Sequence, residues 1–376
     1  MASGDKKKRR KRSSAVVLLS GLFGLLILAG IAAGGAVIYG LHLFYEAGPT
    51  ETDQAFLVER GSSLTAVTGD LVSQGFTQDG TLQPLVFRLA IELLDAKKRK
   101  LLPGQYTIPA HASMSDLLQV VTQTKPQEFF INVVPGETSW QVAQALNDPA
   151  LNLTGEPISP PVEGSLLAVR HDFFPRDSRQ TLLNSMQKAM ADKLAAIWAD
   201  HDPSIDDVIK TPQQLVTMAS LVEKETGLET ERPDVASVFV NRLRKHMRLQ
   251  TDPSVMYGLT LGRDKLDRKL STSDLKAKTP YNTYQIDGLP PGPIANPGED
   301  ALNAVAHPSK TDYLYFVAKS ADPAAGHYFS SNYAQHKKNV ALYRTAVTVD
   351  EAEQAKEALE AEQAKDSGDT TGDSTP

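Results

Sequence analysis

Cysteine is absent from this chain of 376 residues. Without thiols there is neither a disulfide framework nor a thiolate metal site, although the absence is compatible with any compartment. Histidine offers no alternative, because His307, His327 and His336 are scattered and form no pair at metal-ligand spacing. We therefore expect no metal and no cofactor.

A phosphate-binding loop of the Walker type is also missing. The segment "LPPGPIANPG" (289–298) contains glycine, but too much proline for its backbone N–H groups to cradle an anion. The formal net charge is −6 and residues 1–12 carry +6, so the remainder carries −6 − 6 = −12. An acidic body argues against a nucleic-acid partner.

Charged side chains are missing from one long stretch, since no Asp, Glu, Lys or Arg occurs from Ser13 to Leu43. A bilayer core of ~30 Å needs about 20 apolar residues in a helix, so residues 13–45 are predicted to be a transmembrane helix. The small residues of "GIAAGGA" suggest a cleaved signal peptide instead, but the apolar region of such a peptide has only about 7–15 residues. Seven consecutive cations, Lys6 to Arg12, place the tail 1–12 in the cytoplasm and the rest of the chain outside.

Three segments after the span share one pattern, in which a β-branched or aromatic run is followed by turn residues and then by apolar residues at helical spacing. This pattern predicts a strand, a turn and a short amphipathic helix in each segment, with Thr138 or Ser139 as one helix cap. A longer amphipathic helix is predicted over 179–200. The three repeated segments are "FLVERGSSLTAVTGDLVSQG" (56–75), "YTIPAHASMSDLLQVVTQ" (106–123) and "INVVPGETSWQVAQALN" (131–147).

The stretch "LVEKETGLE" (221–229) places three acidic residues just after an apolar helical run. At 100° per residue, Leu215, Met218 and Val222 lie on one side of this helix, and Glu223 and Glu225 flank opposite edges of that side. The two carboxylates therefore do not form a close pair. Glu225 lies nearer the apolar face, where partial desolvation would raise its pKa and suit general-acid catalysis.

Polar and aromatic residues are concentrated in three later loops, at 247–259, 279–298 and 324–336. Long loops of this kind on a packed scaffold are common binding sites. Their amide and hydroxyl groups suit sugar hydroxyls and N-acetyl groups, and their tyrosines offer faces for sugar rings. The composition therefore points to a carbohydrate ligand.

Six motifs follow one another in a fixed order: "MASLVEKET" (218–226), "VASVFVNRLR" (235–244), "MRLQTDPSVMYG" (247–258), "YNTYQIDGLPPGPIANPG" (281–298), "AHPSKTDYLYFVA" (306–318) and "HYFSSNYAQH" (327–336). Together they resemble the YceG-like family of endolytic murein transglycosylases. An upstream segment, "LLPGQYTIPAHASMSDLLQVV" (101–121), resembles the LysM-like segment of that family more loosely. The resemblance implies a membrane-anchored enzyme that cuts nascent peptidoglycan strands internally.

The resemblance also implies roles for single residues. Glu225, the second glutamate of "VEKET", matches the catalytic acid, and Glu223 is a supporting residue beside it. One acid without a second carboxylate fits a lytic transglycosylase, which leaves 1,6-anhydro-MurNAc ends and thereby terminates strand elongation. Residues in motifs expected to line a glycan groove are Glu223, Asn241, Gln250, Thr251, Asp252, Tyr281, Asn282 and Thr283.

Two other functions stay open. A peptidoglycan hydrolase needs a second carboxylate, for which Asp252 is the best candidate by residue type. A catalytically silent peptidoglycan-binding or division-scaffold protein is the other. It is suggested by "AVRHD" (168–172), which replaces the segment found in many family members and puts groove contacts between Leu167 and Phe173 in doubt.

The predicted fold class is α+β. Its partners are expected to be peptidoglycan strands, the inner membrane through one helix, and the cell-wall synthesis machinery, with the catalytic domain periplasmic or extracytoplasmic. The predicted parts are a basic tail (1–12), a transmembrane helix (13–45), a small LysM-like α+β domain (53–128), a mixed α+β catalytic domain with a glycan groove (129–348), and a charged helix with a disordered tail (349–376).

The orientation of the span is testable with a reporter that is active only in the cytoplasm, fused after Pro376. We expect no reporter activity, because the seven cations hold the other end of the span inside. The same reporter fused after Arg12 serves as the positive control. Activity of the Pro376 fusion would reverse the predicted topology and remove peptidoglycan as a substrate.

Overall fold

The computed structural model describes residues 14–78, 80–94, 101–264 and 266–349. The basic tail (1–12) and nearly all of the predicted charged helix and tail (349–376) lie outside these residues. The chain divides into two compact units, Met1–Phe129 and Phe130–Pro376. Both contain helices and short strands, which confirms the predicted α+β class.

The first unit starts with α1, and residues Leu18–Tyr45 of this helix are long and apolar enough to cross a membrane. The end of α1 joins the core of the unit, because Phe44 is only 5% exposed and lies among buried side chains such as Phe87 and Leu117. The helices and strands of the unit are α1 (Ser14–Tyr45), β1 (Gln54–Val58), α2 (Leu64–Ser73), α3 (Gln83–Leu93), β2 (Gly104–Ile108) and α4 (Met114–Gln123).

Strands β1 and β2 pair antiparallel, with Phe56 opposite Tyr106. Both of these side chains are buried. Because alternate residues of a strand point to the same face, each strand directs one face toward the core. Ser113 caps α4 in a capping box with Asp116, which satisfies backbone donors at the start of the helix. A local sequence signal therefore determines where α4 starts.

The second unit is mainly helical, with two small two-stranded sheets, β3 with β4 and β5 with β6. Strand β3 begins at the boundary residue Phe129. The elements are β3 (Phe129–Asn132), α5 (Ser139–Leu146), β4 (Arg170–Phe173), α6 (Arg179–Ala199), α7 (Pro212–Glu225), α8 (Arg232–Arg244), α9 (Asp252–Thr260), α10 (Thr272–Lys276), α11 (Glu299–Ala306), β5 (Tyr315–Ala318), β6 (His327–Ser330) and α12 (333–349).

Helix α7 is the centre of this unit. Every side chain from Leu215 to Val222 is buried, so the helix is covered on all sides, mainly by α8 and α11 and also by α6 and α9. Such a helix belongs to a core rather than to a surface. The helix ends at Glu225, because Thr226 has an extended backbone, with φ −139° and ψ 133°.

The strand–turn–helix pattern predicted for three segments is confirmed, as β1 and α2, β2 and α4, and β3 and α5. Thr138 is the cap of α5, and Gln141 completes its capping box. The helix predicted over 179–200 is α6. Strand β4 was not predicted and contains most of the unusual "AVRHD" segment, where Arg170 lies 4.0 Å from the ring centre of Phe130.

Candidate active site

Glu225 stands at the last position of α7, where the buried helix reaches the surface, and its side chain is partly buried. Desolvation by burial raises the pKa of this carboxyl from 4.5 to about 7. The Thr251 hydroxyl and the Arg242 charge favour the ionised form and lower the pKa, whereas the negative charge of Asp252 raises it. A carboxyl with a pKa near 7 is half protonated at neutral pH, as a general acid requires.

Thr251 is held beside Glu225 by a buried hydrogen-bond network. Its backbone N–H donates to Thr283 Oγ1 at 2.9 Å, and the Ser254 hydroxyl donates to the Thr251 carbonyl at 2.7 Å. The Thr251 hydroxyl has no hydrogen bond of standard geometry to any other described residue, although it interacts with Glu225. The network therefore fixes the backbone and leaves this hydroxyl to the carboxyl group.

Asp252 is the second carboxylate of the site. It is exposed at the first turn of α9, and Tyr284 donates its hydroxyl hydrogen to Asp252 Oδ1 at 2.7 Å. Burial first, and then Asp252 and Glu225, raise the pKa of Tyr284, so its hydroxyl remains a donor at neutral pH. Asp252, Tyr284 and Glu225 thus form one electrostatic group.

Arg242 provides the positive charge. It is only 8% exposed, and its guanidinium donates to the carbonyl oxygens of Leu314 at 2.7 Å and Leu249 at 2.6 Å. It also lies 5.5 Å from the ring centre of Tyr315. One buried arginine therefore joins α8, the loop before α9 and the start of β5 next to Glu225.

Gln250 has its backbone in the left-handed region, with φ 52°, and its side chain is exposed. A non-glycine residue in this conformation is uncommon and is frequently found at functional sites. The hydrogen bond from its N–H to the Thr283 carbonyl, at 3.2 Å, belongs to the same loop network. Gln250 and Asp252 are therefore the groove candidates with the most accessible side chains.

Glu223 is engaged inside the protein. Its carboxylate is 4% exposed and accepts hydrogen bonds from Arg232 Nη2 at 3.1 Å and from the Gly298 N–H at 2.9 Å. These contacts tie the end of α7 to the starts of α8 and α11. The supporting role expected for Glu223 fits this position, whereas contact with a substrate does not.

Three further residues predicted to line the groove are instead engaged in hydrogen bonds or packing within the protein. Asn241 donates to the carbonyl oxygens of Thr311 and Tyr313, at 2.9 and 3.0 Å. Asn282 and Thr283 are fully buried, and the Asn282 amide donates to three backbone carbonyls, the nearest being Ala277 at 2.7 Å. Asn282 and Thr283 therefore lie inside the loop scaffold rather than on a groove surface.

Tyr281 is half-buried and packs edge-on against Tyr257, with ring centres 4.8 Å apart. Tyr257 in turn donates a hydrogen bond to Glu163 Oε2 at 3.2 Å, and burial raises the pKa of Glu163. Tyr257 also lines a cleft of about 430 Å³. Lys224 and Pro253, the chain neighbours of Glu225 and Asp252, line the same cleft, so it opens beside the site.

The described residues contain no group of three or more side chains suited to a metal ion. All three of the scattered histidines have protein partners. His307 Nε2 lies 3.8 Å from Asp200 Oδ2, His327 Nδ1 lies 2.7 Å from Glu231 Oε2, and the ring of His336 stacks on Tyr315 with ring centres 5.0 Å apart. These contacts lie within the second unit.

Arg242 and Tyr284 are functional candidates that sequence analysis missed. Each stands inside a recognised motif, next to a residue that was chosen: Arg242 follows Asn241, and Tyr284 ends "YNTY". Their position in those motifs was the available signal. Their electrostatic interaction with Glu225 depends on packing between distant segments.

Opposite stability effects are predicted for the two glutamates. Because the folded-state pKa of Glu225 exceeds 4.5, the folded protein retains a proton that the unfolded chain loses, and the free energy of unfolding falls as pH rises from about 4.5 to 7. Glu225→Gln cannot ionise, so we expect it to unfold like the parent below pH 4.5 and to be more stable above pH 7. The gain is at most about 3 kcal/mol.

Glu223→Gln is the matched control, and we expect it to lose about 1–3 kcal/mol at pH 7, because Arg232 keeps its charge without a full partner. Urea unfolding of both variants between pH 4 and 8 measures these differences. A Glu225→Gln variant less stable than the parent at pH 8 would contradict the desolvated environment assigned to Glu225.

Two bacterial proteins that share one name are similar to this chain. The endolytic murein transglycosylase of Bacillus subtilis (strain 168) is 39% identical over 181 residues, 48% of this chain and 48% of that protein. The protein of the same name from Streptococcus pneumoniae serotype 2 (strain D39) is 29% identical over 252 residues, 62% of this chain and 44% of that protein. The matched regions thus span about half the length of these relatives.

A crystal structure of a yceG-like protein from Listeria monocytogenes is 26% identical to this chain. It covers 77% of this chain and 99% of its own, with a TM-score of 0.47. The model of the YceG-like family matches residues 56–342, which contain every candidate residue of the site. The match to the family model confirms the resemblance drawn from the motifs, and the chain belongs to the YceG-like family.

Proposed function

We propose that the protein is a membrane-anchored endolytic lytic transglycosylase. Its substrate is nascent peptidoglycan, in which it cuts internal MurNAc–GlcNAc bonds, leaves 1,6-anhydro-MurNAc ends and ends strand elongation. The observation that supports this proposal most is Glu225, a carboxyl of pKa about 7 on the end of a rigid buried helix. The names of the two bacterial relatives support the same reaction.

The reaction needs one group that first donates and then accepts a proton. Protonated Glu225 donates to the glycosidic oxygen while the bond from that oxygen to C1 of MurNAc breaks. The C6 hydroxyl oxygen of the same sugar bonds to C1, and its proton passes to the Glu225 carboxylate. No water is consumed, and the acid is regenerated in its starting form.

The neighbours of Glu225 assist both halves of this cycle. The charge of Arg242 and the hydroxyl of Thr251 favour the carboxylate that remains after donation. The negative charge of Asp252 favours the protonated form and can also stabilise positive charge that develops at C1. Opposing influences of this kind keep the pKa near neutrality, where donation and acceptance are both accessible.

The remaining expectations are part of the same proposal. Residues 53–128 form a LysM-like domain, and residues 129–348 form a catalytic domain whose glycan groove includes Gln250, Asp252 and Tyr281. Helix α1 anchors the chain in the inner membrane with the catalytic domain outside the cytoplasm. Cell-wall synthesis enzymes are the expected protein partners.

One observation supports a rival function. Asp252 is exposed and close enough to Glu225 to influence its pKa, so it can act as the second carboxylate of a hydrolase. The silent binding-scaffold alternative has less support, since "AVRHD" contributes to an ordinary strand pair rather than to a disrupted segment.

The role of Glu225 is testable by substitution. We expect Glu225→Gln to lose about 10²–10⁴-fold in cleavage rate, because glutamine keeps the shape but cannot donate a proton. Glu223→Gln should retain far more activity once its lower stability is allowed for. Rates are measured on purified uncrosslinked glycan strands, and a dead Glu223→Gln with a near-normal Glu225→Gln would reverse the assignment.

The reaction class is testable by the products formed in ¹⁸O-labelled water. We expect ends lighter by one water and free of label, because the C6 hydroxyl replaces water as the nucleophile. Mass spectrometry of the fragments measures both properties, with a known muramidase as the control that adds label. Labelled reducing ends would show a hydrolase, and absence of cleavage would favour a binding scaffold.

Asp252→Asn separates the two enzymatic mechanisms further. A transglycosylase should remain active, with the alkaline limb of its pH profile moved to lower pH, because the like charge that raises the pKa of Glu225 is gone. A hydrolase should lose activity as completely as in Glu225→Gln.

A further inference from the structure

Helix α3 has an uncovered apolar stripe. Leu85, Leu89 and Leu93, spaced four residues apart on one face, are 51%, 51% and 82% exposed. Leu82 and Leu94 at the two ends are 43% and 48% exposed. Five large apolar side chains on one short helix form a continuous surface of the kind that marks an interaction site.

The other faces of α3 have separate uses. Phe87, Ala90 and Ile91 are buried in the core of the first unit. Arg88 and Glu92 are exposed and lie on the third face, beside the leucine stripe. The helix therefore has one face in the core and one polar face in water. Its third face is apolar, and neither packing in the core nor contact with water accounts for its leucines.

The leucine stripe is continuous with the end of α1. An apolar recess of about 300 Å³ is lined on one side by Leu89, Leu93 and Leu94 of α3, and on the other by residues of α1 that include Val37 and Leu41. Phe44, buried in the core, fixes this arrangement. The stripe is thus held beside the last three turns of the apolar helix.

The length of α1 indicates the depth at which the stripe lies. The 32 residues of α1, from Ser14 to Tyr45, extend ~48 Å, which is about 18 Å more than a bilayer core. With the inner end placed at the cytoplasmic face, residues beyond about Gly34 pass through the outer interfacial layer. Tyr39 and Tyr45, 53% and 65% exposed, are the residue type enriched at that layer.

We propose that the leucine stripe of α3 docks into the outer leaflet of the membrane that α1 spans. The helix lies in the interface with its leucines toward the boundary between headgroups and acyl chains and with Arg88 and Glu92 toward the headgroups and water. This proposal rests on the anchoring role of α1 and is independent of the chemistry at Glu225.

The absence of cysteine permits a direct test with single-cysteine variants of the full chain. Leu89→Cys, Leu93→Cys, Arg88→Cys and Glu92→Cys are each labelled with a polarity-sensitive fluorophore and reconstituted into phosphatidylethanolamine–phosphatidylglycerol vesicles. A nitroxide placed high on the acyl chain of a lipid is the quencher for the labels on α3, and a nitroxide near the end of the acyl chain is the quencher for the span. Leu26→Cys in α1 reports the span, and Thr65→Cys, an exposed position on α2, reports water.

We expect the labels at positions 89 and 93 to be blue-shifted and quenched several-fold more than those at 88, 92 and 65. Equal quenching at 88, 89, 92 and 93 would overturn the proposal. Disulfide cross-links between two Leu89→Cys chains, without lipid quenching, would assign the stripe to a second copy instead. An unquenched label at 26 would overturn the anchor and the docking together, whereas strand cleavage by the same preparation tests the proposed function separately.

Discussion

The complete burial of α7 is the constraint on which the second unit depends. A helix with no exposed face from Leu215 to Val222 has a fixed position, and every neighbouring helix packs against it. Its last turn is the place where the core meets the surface. Glu225 stands at that boundary, so the same packing that stabilises the unit also desolvates the carboxyl and holds its position.

Two polar networks complete this arrangement from opposite sides of α7. Glu223 accepts from Arg232 and from the Gly298 amide, and so fixes the end of the helix against α8 and α11. Thr283 and Ser254 fix Thr251 against Glu225 from the other side. Most polar residues of the motifs therefore serve to position a few groups, and only a minority are free to meet a ligand.

The sequence predicted features that depend on local pattern. Periodicity and caps such as Thr138 located the strand–helix units, and the helical wheel favoured Glu225 over Glu223. The division between groove and scaffold was not predictable, because buried Asn282 and exposed Gln250 belong to the same residue class and to neighbouring motifs. Arg242 and Tyr284 were missed for a related reason, since their approach to Glu225 joins segments about 20–60 residues apart in the chain. Strand β4 was not predicted from the sequence, because its four mostly polar residues acquire a strand conformation only through pairing with β3.

The burial of Phe44 has a mechanical consequence for the first unit. Because Phe44 near the end of α1 lies in the core, and because α1 packs against α3 and α4, the helix is held to the unit by packing and not only by the connecting residues 46–53. The unit must therefore tilt and rotate together with α1. In the membrane-anchored form proposed above, the tilt of α1 therefore sets the height of each point of the unit above the bilayer, and rotation about the helix axis sets the direction in which that point faces.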